Sequence, residues 1–299
     1  MLGRSQFPPR GSSRSAYAEL MCRPKSSRPS LGQRGVAAGK DNLMVFGTAS
    51  QAAAIASGGV LQAASFAGTG LAPGGMISVF GSNMTMDNQG QTASSTPLPT
   101  ALQGTSVNIG GIDAPLYFSS NGQINAQLPV GLPAGLAQAY LRVNRNGQDF
   151  FTDSEGLTVV PASPGIFTLN SSGAGQGAIL ISNTTLVAGP AGAVAGFDAH
   201  PVERGQYVTI FCTGLGAVSN QPPTGAPAQV TPLSNVVVPA AVTIGGAPAM
   251  VSFAGLASGF VGLYQVNAQV PTSIAPGNAV PLVVSQNGLA SNTVTIAVQ

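Results

Sequence analysis

The heptapeptide Gln123-Ile124-Asn125-Ala126-Gln127-Leu128-Pro129 returns later in the chain as Gln265-Val266-Asn267-Ala268-Gln269-Val270-Pro271. Its surroundings return with it. Ile77-Ser78-Val79-Phe80 matches Val208-Thr209-Ile210-Phe211, Thr96-Pro97-Leu98 matches Thr231-Pro232-Leu233, and Val107-Asn108-Ile109-Gly110-Gly111 matches Val242-Thr243-Ile244-Gly245-Gly246. Each heptapeptide is followed by a Pro/Gly turn, Pro133-Ala134-Gly135 or Ala275-Pro276-Gly277, then by an apolar run and an Asn-Gly turn at Asn146-Gly147 or Asn287-Gly288. Shared order over so many segments marks an internal duplication, and any fold for this chain has to build the same unit twice.

Each unit reads as about seven short strands, spaced roughly ten residues apart and joined by Gly-Gly and Asn-Gly turns that suit tight hairpins. The expected fold class is therefore all-β, with tandem immunoglobulin-like antiparallel β-sandwiches. The first sandwich is expected over residues 56–164 and the second over 165–299. Residues 165–203 form a bridging N-terminal extension of the second, with a strand expected over 178–182. A similar lead-in, Gly58-Gly59-Val60-Leu61-Gln62, precedes the first unit.

Charge separates this body from the start of the chain. Of 299 residues, only 11 are Lys or Arg and 9 are Asp or Glu, and eight of the eleven cations fall in residues 1–40. Residues 205–299 contain no Asp, Glu, Lys, Arg or His. Charge-laced helices, coiled coils and basic nucleic-acid faces all need charges at regular spacing, so most of the chain is none of these. Residues 1–55, rich in Ser, Arg, Pro and Gly at the start, are expected to be a disordered basic leader. Its short apolar run Leu43-Met44-Val45-Phe46 is too brief for the core of a signal peptide.

An apolar share of 44% invites a membrane reading, but a spanning helix needs about 20 continuous apolar residues. The most apolar stretch, 236–264, is broken by Pro239, Gly245, Gly246 and Pro248. An outer-membrane barrel wants aromatic girdles, and this chain has no Trp and five Tyr. No membrane span is expected.

The order Pro164-Gly165-Ile166-Phe167-Thr168, Gly175-Gln176-Gly177-Ala178-Ile179, Thr213-Gly214-Leu215-Gly216, Tyr264 through Pro271 and Asn292-Thr293-Val294-Thr295-Ile296 resembles the Solibacter-type uncharacterised C-terminal domain family of acidobacterial exported proteins. The resemblance runs from about residue 56 to 299. It implies a module found at the ends of varied exported proteins, with no established activity. Each half is also similar to an IPT/TIG immunoglobulin-like domain.

Catalytic chemistry finds few residues to use. The sole His, His200, lies near Asp198 and Glu203, but no Gly-x-Ser-x-Gly elbow exists to supply a nucleophile, and His200 reads as an exposed linker residue. Asp149, Asp153 and Glu155 form the one acidic cluster, yet lack the Gly-centred loop of a calcium motif and read as a solvated strand end. The glycine runs 68–70 and 173–177 lack the following Lys and helix of a phosphate loop and read as turns. Arg142 and Arg145 are too few for the phosphate contacts of a nucleic-acid face. Cys212 ends an apolar strand and reads as a small buried hydrophobe; Cys22 lies in the leader.

The repeated amide stripes are the candidate binding residues. On a strand, alternate residues share a face, so Gln123, Asn125 and Gln127 point away from the core, as do Gln265, Asn267 and Gln269. Such a stripe is either a neutral solvent face, an amide ladder between strands, or a site for sugar hydroxyls or a neighbouring domain. Taken together, the features point to a non-enzymatic exported module for cell-surface binding, adhesion or spacing. The expected location is extracellular or at the cell surface, with an extracellular glycan or cell-surface protein as partner and no cofactor, metal or nucleic acid. The alternatives are an accessory domain of a secreted hydrolase and a self-assembling fibre subunit, the latter favoured by edge strands with few charged gatekeepers.

Overall fold

The computed structural model describes residues 52–86 and 89–299; the expectations for residues 1–51, Cys22 among them, lie outside the described residues. The chain is all-β, built as tandem immunoglobulin-like antiparallel sandwiches. The first ten strands are β1 (Ala54–Gln62), β2 (Met76–Ser82), β3 (Gln91–Thr92), β4 (Thr105–Ile109), β5 (Ile112–Asp113), β6 (Leu116–Ser119), β7 (Gln123–Gln127), β8 (Gly135–Arg145), β9 (Gln148–Phe151) and β10 (Glu155–Val159). They form two sheets, β1-β2-β7-β6-β3 and β10-β8-β4-β5, with β9 hairpinned onto β8.

The chain continues through β11 (Gly165–Ile166), β12 (Gly175–Gln176), β13 (Ile179–Ile181), β14 (Val187–Ala188), β15 (Ala199–His200) and β16 (Tyr207–Thr213). It closes with β17 (Ala241–Ile244), β18 (Ala247–Ala249), β19 (Val251–Leu256), β20 (Tyr264–Gln269), β21 (Gly277–Gln286), β22 (Leu289–Ala290) and β23 (Val294–Val298). The sheets here are β15-β14-β13-β16-β20-β19, joined by β11, and β12-β23-β21-β17-β18, joined by β22. Strand order repeats between the halves: β2-β7-β6 corresponds to β16-β20-β19, and β10-β8-β4-β5 to β23-β21-β17-β18. Even the irregularities recur, with a register shift between Leu116 and Phe118 against β7 and between Val251 and Phe253 against β20. The Thr-Pro bonds of both Thr-Pro-Leu copies are cis.

The residues expected to bridge the units are part of a sheet. β13 pairs with β16 as β1 pairs with β2, because Ile179 and Leu180 supply an apolar edge for the growing sheet. Two short pairings in this region are parallel, β12 with β23 and β14 with β15, a departure from a purely antiparallel sandwich.

Alternation explains the cores. Along β8, Ala139, Leu141 and Val143 point inward to meet Val107, Ile109, Ile124 and Val79, while Gln138, Arg142 and Asn144 point out. In the second half Ile210, Tyr264, Val266, Leu282, Val294 and Ile296 do the same. Each such side chain contributes about 1.5–3 kcal/mol when taken out of water. A third cluster joins the halves: Ala63, Ala64 and Met76 pack with Phe167, Ala178, Ala257 and Leu263. These are mostly small residues, and they let the two backbones approach closely. Gly214 (φ +79°) shows how closely, since a Cβ there would collide with the Ser163 carbonyl oxygen.

Cys212 is a free thiol fully buried in the second core, and burial pushes its pKa well up. The thiolate is the reactive form, so the native thiol should be inert. In a Cys22→Ser chain, Ellman's reagent should titrate no thiol until denaturant is added and one thereafter. Rapid reaction of the native chain would contradict the burial.

Candidate functional site

The structure places the two amide stripes in different surroundings. Gln123, Asn125 and Gln127 are only 5%, 3% and 4% exposed, so the first stripe is not a solvent face. The physical reason is docking: residues 167–171 of the second half lie over it, and the remaining recess between Ser78, Gln123, Asn125, Phe167, Thr168 and Ser171 has room for about one water molecule. The second stripe is more open, with Gln265 and Gln269 half-buried and Asn267 buried.

Both stripes make the same internal bonds. Gln123 Nε2 donates to Asn125 Oδ1 at 2.7 Å, and Gln265 Nε2 donates to Asn267 Oδ1 at 2.9 Å. Gln127 Nε2 donates to the Gly74 carbonyl at 3.2 Å, and Gln269 Nε2 to the Gly205 carbonyl at 2.8 Å, so each closing Gln ties its strand to the turn before the neighbouring strand. Only the first stripe reaches the other half. The Gly225 N–H donates to Gln127 Oε1 at 2.7 Å, and Ser78 Oγ donates to Asn125 Oδ1 at 2.9 Å beside it.

More bonds cross the same junction. Thr213 Oγ1, fully buried, accepts from the Met76 N–H at 2.8 Å and donates to the Gly262 carbonyl at 3.1 Å. The Leu98 N–H donates to the Gly225 carbonyl at 2.9 Å, the Val130 N–H to Thr224 Oγ1 at 3.2 Å, and the Tyr117 hydroxyl to the Val261 carbonyl. Buried polar groups satisfied on both sides of a contact are expensive to separate, so the two sandwiches are held as one body.

The open polar surface lies elsewhere, on the outer face of the sheet containing β8. Six of the nine charged residues that the structure describes, Asp113, Arg142, Arg145, Asp149, Asp153 and Glu155, belong to this sheet and its turns. The Asn146-Gly147 turn pairs Arg142 with Phe151 and Asn144 with Asp149 across the hairpin. On the other side, Tyr140 lies opposite Asn108 and Arg142 opposite Ser106, and Asn108 in turn faces Asp113. Arg142 Nη2 stands 3.7 Å from Asp113 Oδ2 and donates to Ser106 Oγ at 3.3 Å. Asn108 Nδ2 donates to Asp113 Oδ1 at 2.8 Å, and Asn144 Nδ2 to Asp149 Oδ1 at 2.7 Å. An ion pair this exposed is worth about 0–1 kcal/mol, so it orients its partners more than it stabilises the fold.

Aromatic rings edge this polar array. Phe151 is 64% exposed, with its ring centroid 6.1 Å from that of half-buried Tyr140 at a tilt of 57°. Arg145 lies 5.9 Å from the centre of the Phe150 ring and donates to the Asn83 carbonyl at 3.1 Å. Among the residues read as an acidic strand end, Glu155 plays a structural part, because its Oε1 accepts the Gly58 N–H at 2.7 Å and holds the β1 bulge, where Gly58 has φ +64°. Among the described residues, no three His, Cys, Asp or Glu side chains are grouped to hold a metal. His200 is exposed on β15, and the carboxylate of Glu203 accepts from Gln206 Nε2 at 3.3 Å.

The Tyr140 and Phe151 pair did not emerge from the sequence motifs, although a signal was present. A two-residue Asn-Gly turn sets hairpin register, so counting outward from Asn146-Gly147 brings residue 142 opposite 151. Alternation then puts Tyr140, Arg142, Asn144, Asp149 and Phe151 on one face. The second copy has only Leu289–Ala290 in the corresponding hairpin strand.

No protein-family model matches the chain, and no curated protein matches it. Among solved structures, it is similar to SGBP-B of the Bacteroides ovatus mixed-linkage glucan utilization locus, in complex with a mixed-linkage heptasaccharide, at 12% identity over 78% of this chain and 44% of that one, with a TM-score of 0.30. The full extracellular region of plexin A4, domains 1 to 8, aligns at 12% identity over 88% of this chain and 20% of that one, TM-score 0.28. The tandem Ig repeats of Dlar align at 10% identity over 77% of this chain and 93% of that one, TM-score 0.18. The chain spans less than half the length of the first two. At TM-scores this low the likenesses assign no activity or ligand to it. Among the described residues no helix is long and apolar enough to cross a membrane.

Proposed function

We propose that the chain is an exported, non-enzymatic binding module of the cell surface, and that it belongs to the Solibacter-type family it resembles. Residues 56–164 and 165–299 form its two domains. The observation that carries this reading is the junction. Thr213 and Gln127, both buried, bond across it to backbone groups of the opposite half. A body locked in this way presents its outer sheets at a fixed angle, which suits recognition or spacing. His200 exposed on β15, with the Glu203 carboxylate turned to Gln206, fits a module without catalytic machinery.

The test is a screen of the full chain against immobilised glycans and cell-surface proteins, with polysaccharide turnover and sedimentation measured on the same preparation. Saturable binding by a monomer without turnover is the expected result. Polysaccharide cleavage would replace the proposal with a hydrolase, and concentration-dependent growth in sedimentation would replace it with a fibre subunit.

A further inference from the structure

Resting on the binding-module reading, we infer that the outer face of β8 and β9 is a glycan-binding platform for a neutral polysaccharide, with Phe151 and Tyr140 as its aromatic edge. Pyranose rings offer apolar C–H faces between equatorial hydroxyls. They are recognised by exposed aromatic rings flanked by planar polar groups, some donating and some accepting hydrogen bonds. This face provides both kinds of group. Phe151 is 64% exposed and pairs with Tyr140 at 6.1 Å, and Arg142, Asn144, Asp149 and Asp113 lie beside them in adjoining rows of the sheet. The Asn144–Asp149 hydrogen bond, and those of Arg142 to Ser106 and of Asn108 to Asp113, orient the planar groups before any ligand arrives, which lowers the ordering cost of binding.

Charge decides among occupants. In the outward rows stand Arg142, Asp113 and Asp149, a balance of 1 − 2 = −1, and Arg142 is matched by Asp113. An anionic glycan or nucleic acid meets net repulsion here. A protein interface wants a core depleted of charge, whereas here charged and aromatic groups are interleaved. A neutral polyol chain meets neither obstacle.

The experiment is isothermal titration of the full chain with β-1,4-linked hexasaccharides of glucose, xylose and mannose, and with an oligogalacturonate as the acidic probe. At least one neutral hexasaccharide should bind saturably, and the acidic probe should bind more weakly. Phe151→Ala should weaken binding at least about tenfold, and Asn144→Ala should weaken it less. Val237→Ala and Met250→Ala, exposed apolar positions of the second sandwich, should leave binding unchanged, with circular dichroism melts confirming that every variant is folded. The inference is overturned if no neutral hexasaccharide binds, if Phe151→Ala binds as well as the native chain, or if the acidic probe binds more tightly. If the chain instead binds a cell-surface protein in the screen described above, the platform falls and the binding-module reading stands; if it binds neither class, both fall.

Discussion

Replacing Tyr264 by Ala is expected to destabilise the protein by about 3–5 kcal/mol, the range for truncating a fully buried aromatic ring. Tyr264 is 1% exposed, the largest of the fully buried side chains, and it packs in the second core with Ile210, Val266 and Cys212. Its hydroxyl donates to the Gly216 carbonyl at 2.5 Å, and burial pushes its pKa up, with the neighbouring Cys212 adding to the effect. Gly216 itself leaves no room to move, since a Cβ there would collide with the Pro161 carbonyl oxygen at the junction. Tyr264→Phe should therefore cost about 1–3 kcal/mol, because it keeps the ring and leaves one buried carbonyl without its donor. Urea denaturation of the three chains would show the order; a Tyr264→Ala chain as stable as the native one would mean the site relaxes and the packing described is wrong.

Thr213→Val is expected to cost about 2–5 kcal/mol with almost no change of shape, because the lost hydroxyl leaves two buried backbone groups without the partner that bridges them, at about 1–3 kcal/mol each. Those groups are the Met76 N–H and the Gly262 carbonyl. Thr213→Ser keeps the hydroxyl and removes one methyl, so it should cost less than half as much. The comparison isolates the bridge from the packing. Because Met76 belongs to the first half and Thr213 to the second, calorimetry should show one transition for the native chain and a split or broadened one for the Val variant. Equal stability of the Val and Ser variants would show that the junction does not rest on this hydroxyl. Gln127→Leu offers a second route to the same question, since it removes the acceptor of the Gly225 N–H.

Much of the fold was open to a local reading. The Asn146-Gly147 and Asn287-Gly288 turns, the runs ending at Phe80 and Phe211, and the heptapeptides at 123 and 265 each mark an element whose identity depends on a few neighbouring residues. The duplication made each half a check on the other. Less legible was the extension at 165–203: its strands are only two or three residues long and carry no periodicity of their own, and they exist because β16 and β23 offer edges to pair with.

The amide stripes show where local reading stops. Alternation places Ile124 and Ala126 inward and Gln123, Asn125 and Gln127 outward, and the structure agrees on that division. What lies over the outward face is set by residues 167–171 and by Gly225, far away in the chain, and no property of the stripe itself announces them. Its twin at Gln265, Asn267 and Gln269 has nearly the same sequence and is more open.

The sequence by itself determined that this is a duplicated β protein, which side of each heptapeptide strand turns to the core, and that ionisable groups are scarce in the second copy. Those properties follow from side-chain period and composition, which are local. Only the tertiary structure decided that one amide stripe is buried at a junction while its copy stays half-open, and that six of the nine charged residues it describes fall in the sheet of Tyr140 and Phe151 and its turns. Both depend on which surfaces dock, and docking is settled by the shapes and hydrogen-bonding groups of two complete sandwiches meeting across small residues such as Ala63, Ala64 and Gly214.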